Sequence, residues 1–216
     1  MRLMVTANVP TYGLKYKPYD EMEHDAILML RGFEGGKFLT VPQALDVDSF
    51  VEFYMNATID YARLSQDGSI LGLSTLAQTS VTVFSEDGIA QSRSYPEDTI
   101  LLDVDIYLHS SSARSRFTFM HECAHLYYHK HLAAAVQYCN EGNQKNRCEL
   151  QANCLAAALL MPEPMVRRAF DNELKGKRWS ELSQLEKISV VKNLSALFQV
   201  SVDAMKFRMK NLKLCC

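Results

Sequence analysis

The stretch "RFTFMHECAHLYYHK", Arg116 to Lys130, decides how the chain is read. It carries His121-Glu122-x-x-His125. On a helix, residues four apart share one face about a turn from each other, so both imidazoles can aim at one point. Zinc takes imidazole nitrogen at about 2.0–2.1 Å in a roughly tetrahedral set. Glu122 need not ligate, since in this pattern it sits beside the metal and can take a proton from water. A catalytic zinc needs a third protein ligand and one position left for water. His129 lies eight residues beyond His121, about 12 Å of helix rise, whereas two nitrogens on one zinc lie within about 4 Å. A straight helix therefore excludes His129 as the third ligand.

A better third ligand stands downstream. "CELQANCLAAALLMP", Cys148 to Pro162, reads as a helix that is apolar nearly all round and hence buried. It carries Glu149 in its first turn, and an unpaired buried carboxylate is strongly destabilising. A zinc ion would pair it. Asn153, one turn on, can accept a bond from the second ring nitrogen of a ligand histidine and fix its tautomer. The segment "AAAVQYCNEGNQKN" (133–146) is expected to be a loop that returns the chain antiparallel. The competing reading is a buried helix whose histidines only pack. Against it stand the helical context, the later buried Glu-x-x-x-Asn, and a sheet just ahead of the first helix.

Working outward, Pro18 opens a helix with Met22, Ala26, Met29, Leu30 and Phe33 at helical spacing and Gly32 near its stop. Ser49-x-x-Glu52 resembles a capping box opening a short helix through Met55. "TIDYARL", "SILGLSTL", "SVTVF" and "DTILLDV" are strand-like, with Asp67-Gly68 and Asp87-Gly88 as turn signals. Helices are expected at 115–130, 146–160, 163–172, 180–198 and 201–211. Helices, then sheet, then helices make the class α+β, with a small, mainly antiparallel sheet packed against the helices that carry the site.

With 216 residues the chain can bury a sizeable core as one domain. No apolar run of 18 residues exists, so no membrane span is expected. The N-terminal "MRLMVTANVPTYG" is not a secretory signal, which points to the cytoplasm. Cys123, Cys139, Cys148, Cys154, Cys215 and Cys216 are then expected as thiols. No Cys-x-x-Cys pair suggests a zinc ribbon. Residues 163–216 hold 11 Lys+Arg and 6 Asp+Glu, a net of +5, against −7 for the rest, which sums to the overall −2. A solvated helical surface accounts for such a basic segment better than a nucleic-acid contact.

Taken together, "RFTFMHECAH…H" and "ELQANCLAAALLMP" resemble the ImmA/IrrE metallopeptidase family. Its pattern is Arg-Phe-Thr-x-x-His-Glu-x-x-His-x-x-x-His, then Glu-x-x-Ala-Asn/Asp-x-x-Ala-x-x-Leu-Leu-Met-Pro. "TILLDVDIYL" and "LFQVSVDAMKFRMKNL" are similar to it too, so the resemblance spans about residues 18–214, with 1–17 as a leader. It implies zinc (or manganese) on His121, His125 and Glu149, Glu122 as base, and Asn153 and His129 as outer hydrogen-bond partners. It also implies a bacterial or phage-like source and a protein substrate, a helix-turn-helix repressor in a stress or mobile-element switch. Cys123-Ala124 departs from the common Leu-Gly, and Gln151 stands where an acid is frequent.

The tail "NLSALFQVSVDAMKFRMKNL" has helix-turn-helix texture within a helical subdomain, 180–216. Ala196, Phe198, Val200, Ala204 and Leu212 fit its buried positions, and Lys206, Arg208 and Lys210 could reach phosphates or base edges. A hairpin completing the peptidase core is the favoured reading over DNA recognition through 194–213. The functional expectation is a zinc-dependent endopeptidase. The alternative is a zinc-containing regulatory binding protein with little hydrolysis.

Overall fold

The computed structural model describes residues 17–109, 112–131, 136–140 and 147–215. Residues 1–16 of the expected leader and most of the expected loop at 133–146 lie outside them. Helix α1 (Tyr19–Gly32) starts after the extended Pro18, carries Asp20 and Glu21 in its first turn and buries Met22, Ala26, Met29 and Leu30. It stops where Glu34, Gly35 and Gly36 turn left-handed at φ 44°, 65° and 78°. The next helix departs from expectation. Asp46, not Ser49, is its cap, accepting from the Ser49 amide at 3.2 Å. Helix α2 (Val47–Ser49) then runs on as a π-helical turn over Phe50–Tyr54. The Asp46 carboxylate satisfies an orphan amide three residues earlier than the sequence pattern suggested.

Six strands follow: β1 (Thr58–Ala62), β2 (Ile70–Thr75), β3 (Thr79–Phe84), β4 (Ala90–Tyr95), β5 (Thr99–Asp103) and, later, β6 (Val136–Asn140). The main sheet has the order β1-β5-β2-β6, and β3-β4 form a separate hairpin. β5 runs parallel to β1 and antiparallel to β2, and β2 runs antiparallel to β6. The α+β class with a mainly antiparallel sheet therefore holds. β4 and β6 are additions to it. β4, "AQSRSY", is polar and exposed along most of its length, so it shows no apolar signature. β6 lies inside the stretch expected to be a plain loop.

Helices α3 (Val104–His109), α4 (Ser112–His129), α5 (Arg147–Leu160), α6 (Glu163–Leu174), α7 (Gln184–Phe198) and α8 (Val202–Asn211) complete the chain. Helix α7 begins later than the expected 180 because Ser183 and Glu186 form a reciprocal capping box. A 3-10 turn, Trp179–Glu181, precedes it. Between α7 and α8, Gln199 takes the left-handed position, φ 52°, and Ser201 caps α8. Phe198, Val200 and Leu212 of this hairpin are buried in the main core with Val190, Leu194, Met205 and Met209. Ala196 is exposed and Ala204 only partly buried, against expectation. Arg208 is the larger correction. It is 1% exposed and its guanidinium is paired with Glu23 of α1, so it is not available to nucleic acid. No helix among the described residues is long and apolar enough to cross a membrane.

Helix α4 runs under the sheet so closely that Gly72 of β2 is required. A Cβ there would lie 2.9 Å from Thr118 Cγ2, 3.2 Å from Glu122 Cγ and 3.3 Å from Leu101 O. The absence of a side chain at Gly72 brings β2 directly over the middle of α4.

Candidate metal centre

Helices α4 and α5 position the site. His121 and His125 occupy one face of α4, and Glu149 enters from the first turn of α5. His121 Nε2 and His125 Nε2 are 3.0 Å apart. The Glu149 carboxylate lies 3.1 Å from the first through Oε2 and 3.4 Å from the second through Oε1. A tetrahedral ion with bonds of about 2.0–2.1 Å would hold its ligands about 3.3–3.4 Å apart. The three groups thus form the base of a coordination tetrahedron, and among the described residues they are the one such cluster. All are buried: His121 1%, His125 0% and Glu149 7% exposed.

Side chains behind the two imidazoles meet their Nδ1 atoms and leave Nε2 of each facing the cluster. His121 Nδ1 lies 3.0 Å from Asn153 Oδ1. Donation to that carbonyl oxygen leaves the His121 Nε2 lone pair facing inward. His125 Nδ1 meets His129 Nδ1 at 2.8 Å, and His129 Nε2 meets Gln151 Oε1 at 3.1 Å. His129 therefore stands behind His125, outside the cluster. Burial lowers the pKa of His125 and takes that of His129 down to about 4, which favours the neutral form of each ring. Burial alone would raise the Glu149 carboxyl, but hydrogen bonding and attraction from the two imidazoles bring it to about 2, leaving an anion. With both Nε2 atoms bare, the cluster would be two lone pairs and a carboxylate at 3.0–3.4 Å, which repel one another unless a cation or a proton sits among them. The donor set of two imidazoles and one carboxylate suits zinc.

Glu122 is next to His121 in sequence and 0% exposed. Both its carboxylate oxygens, and Ser74 Oγ on β2, are buried with no hydrogen-bond partner among the described residues. Burial raises the Glu122 carboxyl to about 8, partly offset by His121 and by the adjacent Ser74 hydroxyl and reinforced by Glu149. A buried carboxyl beside groups that could hold a metal ion is placed to accept a proton from solvent there. Burial pushes the Cys123 thiol up to about 12, making it an inert packing group. Of the tyrosines near α4's end, Tyr128 donates to Asp25 at 2.7 Å and Tyr127 is 43% exposed.

Sequence reasoning missed the roles of Gln151 and Gly72. Gln151 lies two residues from Glu149, on the part of α5 that faces α4. Gly72 sits in the middle of an apolar strand, where a glycine signals close approach of another backbone or side chain.

A comparison with curated proteins finds no match. The family model for the IrrE N-terminal-like domain (Peptidase_M78) matches residues 85–210, from the start of the β3-β4 turn to the last turn of α8, and includes both site helices. With more than half of its length matched, including every residue of the cluster, the chain belongs to the IrrE N-terminal-like, Peptidase_M78 family.

Proposed function

We propose that this chain is a zinc-dependent endopeptidase that hydrolyses a peptide bond of a protein substrate. The observation that carries the reading is the buried triangle of His121 Nε2, His125 Nε2 and the Glu149 carboxylate, with an unpartnered Glu122 beside it. His121, His125 and Glu149 would hold the ion. When bound, zinc supplies a Lewis acid for the scissile carbonyl and makes a coordinated water easier to deprotonate. Glu122 would accept one proton of a water adding to the carbonyl carbon. Glu122 then gives the proton to the departing nitrogen as the C–N bond breaks, and a carboxylic acid and an amine result. Asn153 holds His121 in the tautomer that ligates. The sheet above α4 offers extended backbone against which a substrate strand could lie. The substrate is a protein, of the helix-turn-helix repressor type that the family resemblance implies, and the compartment is the cytoplasm.

The rival is a zinc-containing regulatory binding protein with little hydrolysis. The burial of the cluster favours it, since Glu122 and His125 are 0% exposed. Glu122→Gln separates the two. On the endopeptidase reading this variant keeps its metal and fold and loses 10²–10⁴-fold in cleavage rate, the usual contribution of a general base, read on a proteome-derived peptide library and on a purified repressor. Equal cleavage by wild type and variant removes Glu122 as the base, and no cleavage by either with biological output intact supports the binding protein instead.

A further inference from the structure

One inference rests on the metal-centre reading above and concerns what holds His125. His125, His129 and Gln151 form a buried relay from α4 to α5, with Nδ1–Nδ1 at 2.8 Å and Nε2–Oε1 at 3.1 Å. The two imidazoles are 0% exposed and Gln151 is 7% exposed. Each contact in the relay needs one donor and one acceptor, which two rings of one proton each supply. Only two arrangements satisfy both contacts.

In the first, Gln151 Oε1 accepts from His129 Nε2–H. His129 Nδ1 is then bare and accepts from His125 Nδ1–H. His125 Nε2 keeps a lone pair directed at His121 and Glu149, ready for a cation. In the second, the Gln151 amide is turned over and its NH2 donates to His129 Nε2. Every proton in the relay moves along, and His125 Nε2 carries a hydrogen that blocks ligation. Gln151 can sustain either arrangement because an amide has both a donor and an acceptor end. A carboxylate at the same place could only accept. We propose that Gln151 is a positioning residue that sets the direction of this relay through His129, and that the face its amide presents decides whether His125 is offered to the metal.

The test uses the full chain and zinc itself. Zinc affinity is measured by competition with a chromophoric chelator for wild type, Gln151→Leu and Gln151→Glu. The ring tautomers of zinc-loaded wild type are read by ¹⁵N NMR. Loss of an outer partner of a ligand histidine weakens binding about 10–100-fold, and Gln151→Leu is expected to do so. Gln151→Glu, an acceptor of the same length, is expected to bind at least as tightly as wild type, and His129 to carry its proton on Nε2. An affinity for Gln151→Leu within about twofold of wild type, an equal loss in Gln151→Glu, or a proton on His129 Nδ1 in the loaded protein overturns the proposal. Zinc binding by wild type with no effect at Gln151 removes this proposal alone. No zinc binding by wild type removes the metal centre as well.

Discussion

Two clusters of charge buried among the described residues are built on opposite principles. In one, Arg208 of α8 meets Glu23 of α1. The guanidinium donates to Glu23 Oε2 at 2.8 Å, to Glu23 Oε1, to the Tyr19 hydroxyl and, through Nε, to the Met161 carbonyl at 2.9 Å. Burial alone would lower the Arg208 pKa, but Glu23 outweighs it and the group stays charged. Donors and acceptors balance, and the cluster is complete. In the other, His121, His125 and Glu149 face one another at 3.0–3.4 Å, with Asn153 and His129 behind the two imidazoles. That cluster is complete only with something positive among its members. A buried charge that has its counter-charge in the chain ties helices together. A buried charge that faces more acceptors marks a place for an ion.

The first way to break the comparison is to unbalance the complete cluster. Arg208→Ala leaves Glu23 buried without its partner, and such a loss is expected to destabilise the fold by about 3–5 kcal/mol, read by denaturant unfolding. Zinc affinity of the fraction that remains folded should not change. Unchanged stability would mean that the pair contributes only as packing.

A smaller effect comes from the incomplete cluster, and its sign is opposite. In the metal-free fold the Glu122 carboxyl is raised from about 4.5 to about 8 by burial. The folded chain then keeps a proton that the unfolded chain has released between those values. Stability of the metal-free protein therefore falls as pH rises through that window. Glu122→Gln removes the dependence and should stabilise the metal-free protein by roughly 2–4 kcal/mol at pH 8, with little difference at pH 4. Parallel stability–pH curves for variant and wild type would contradict the burial argument. A residue whose removal stabilises the fold while abolishing cleavage is present for chemistry, unlike Arg208.

The same contrast explains what could be read from sequence. The incomplete cluster was legible because helix period places His121 and His125 on one face and because Glu149 is an acid in an otherwise apolar helix. Each signal lies within a dozen residues. The Arg208 pair gave no such signal. Its partner is 185 positions away, and in a basic tail an arginine reads as a solvated charge. β4 escaped notice because a two-stranded hairpin with one exposed face needs few apolar residues. The Asp46 cap was hidden by Ser49-x-x-Glu52, a local pattern that fitted equally well. Gln151 shows the limit of local reading, since its meaning depends on His129, a residue on another helix.

The most direct measurement is the metal content of the purified chain, by elemental analysis, for wild type and Glu149→Ala. One zinc per wild-type chain, removed by a chelator, restored on re-addition with a rise in melting temperature and missing from Glu149→Ala, is the result predicted here. A folded wild-type chain that takes up no metal, or a Glu149→Ala variant that holds zinc as tightly as wild type, would contradict it.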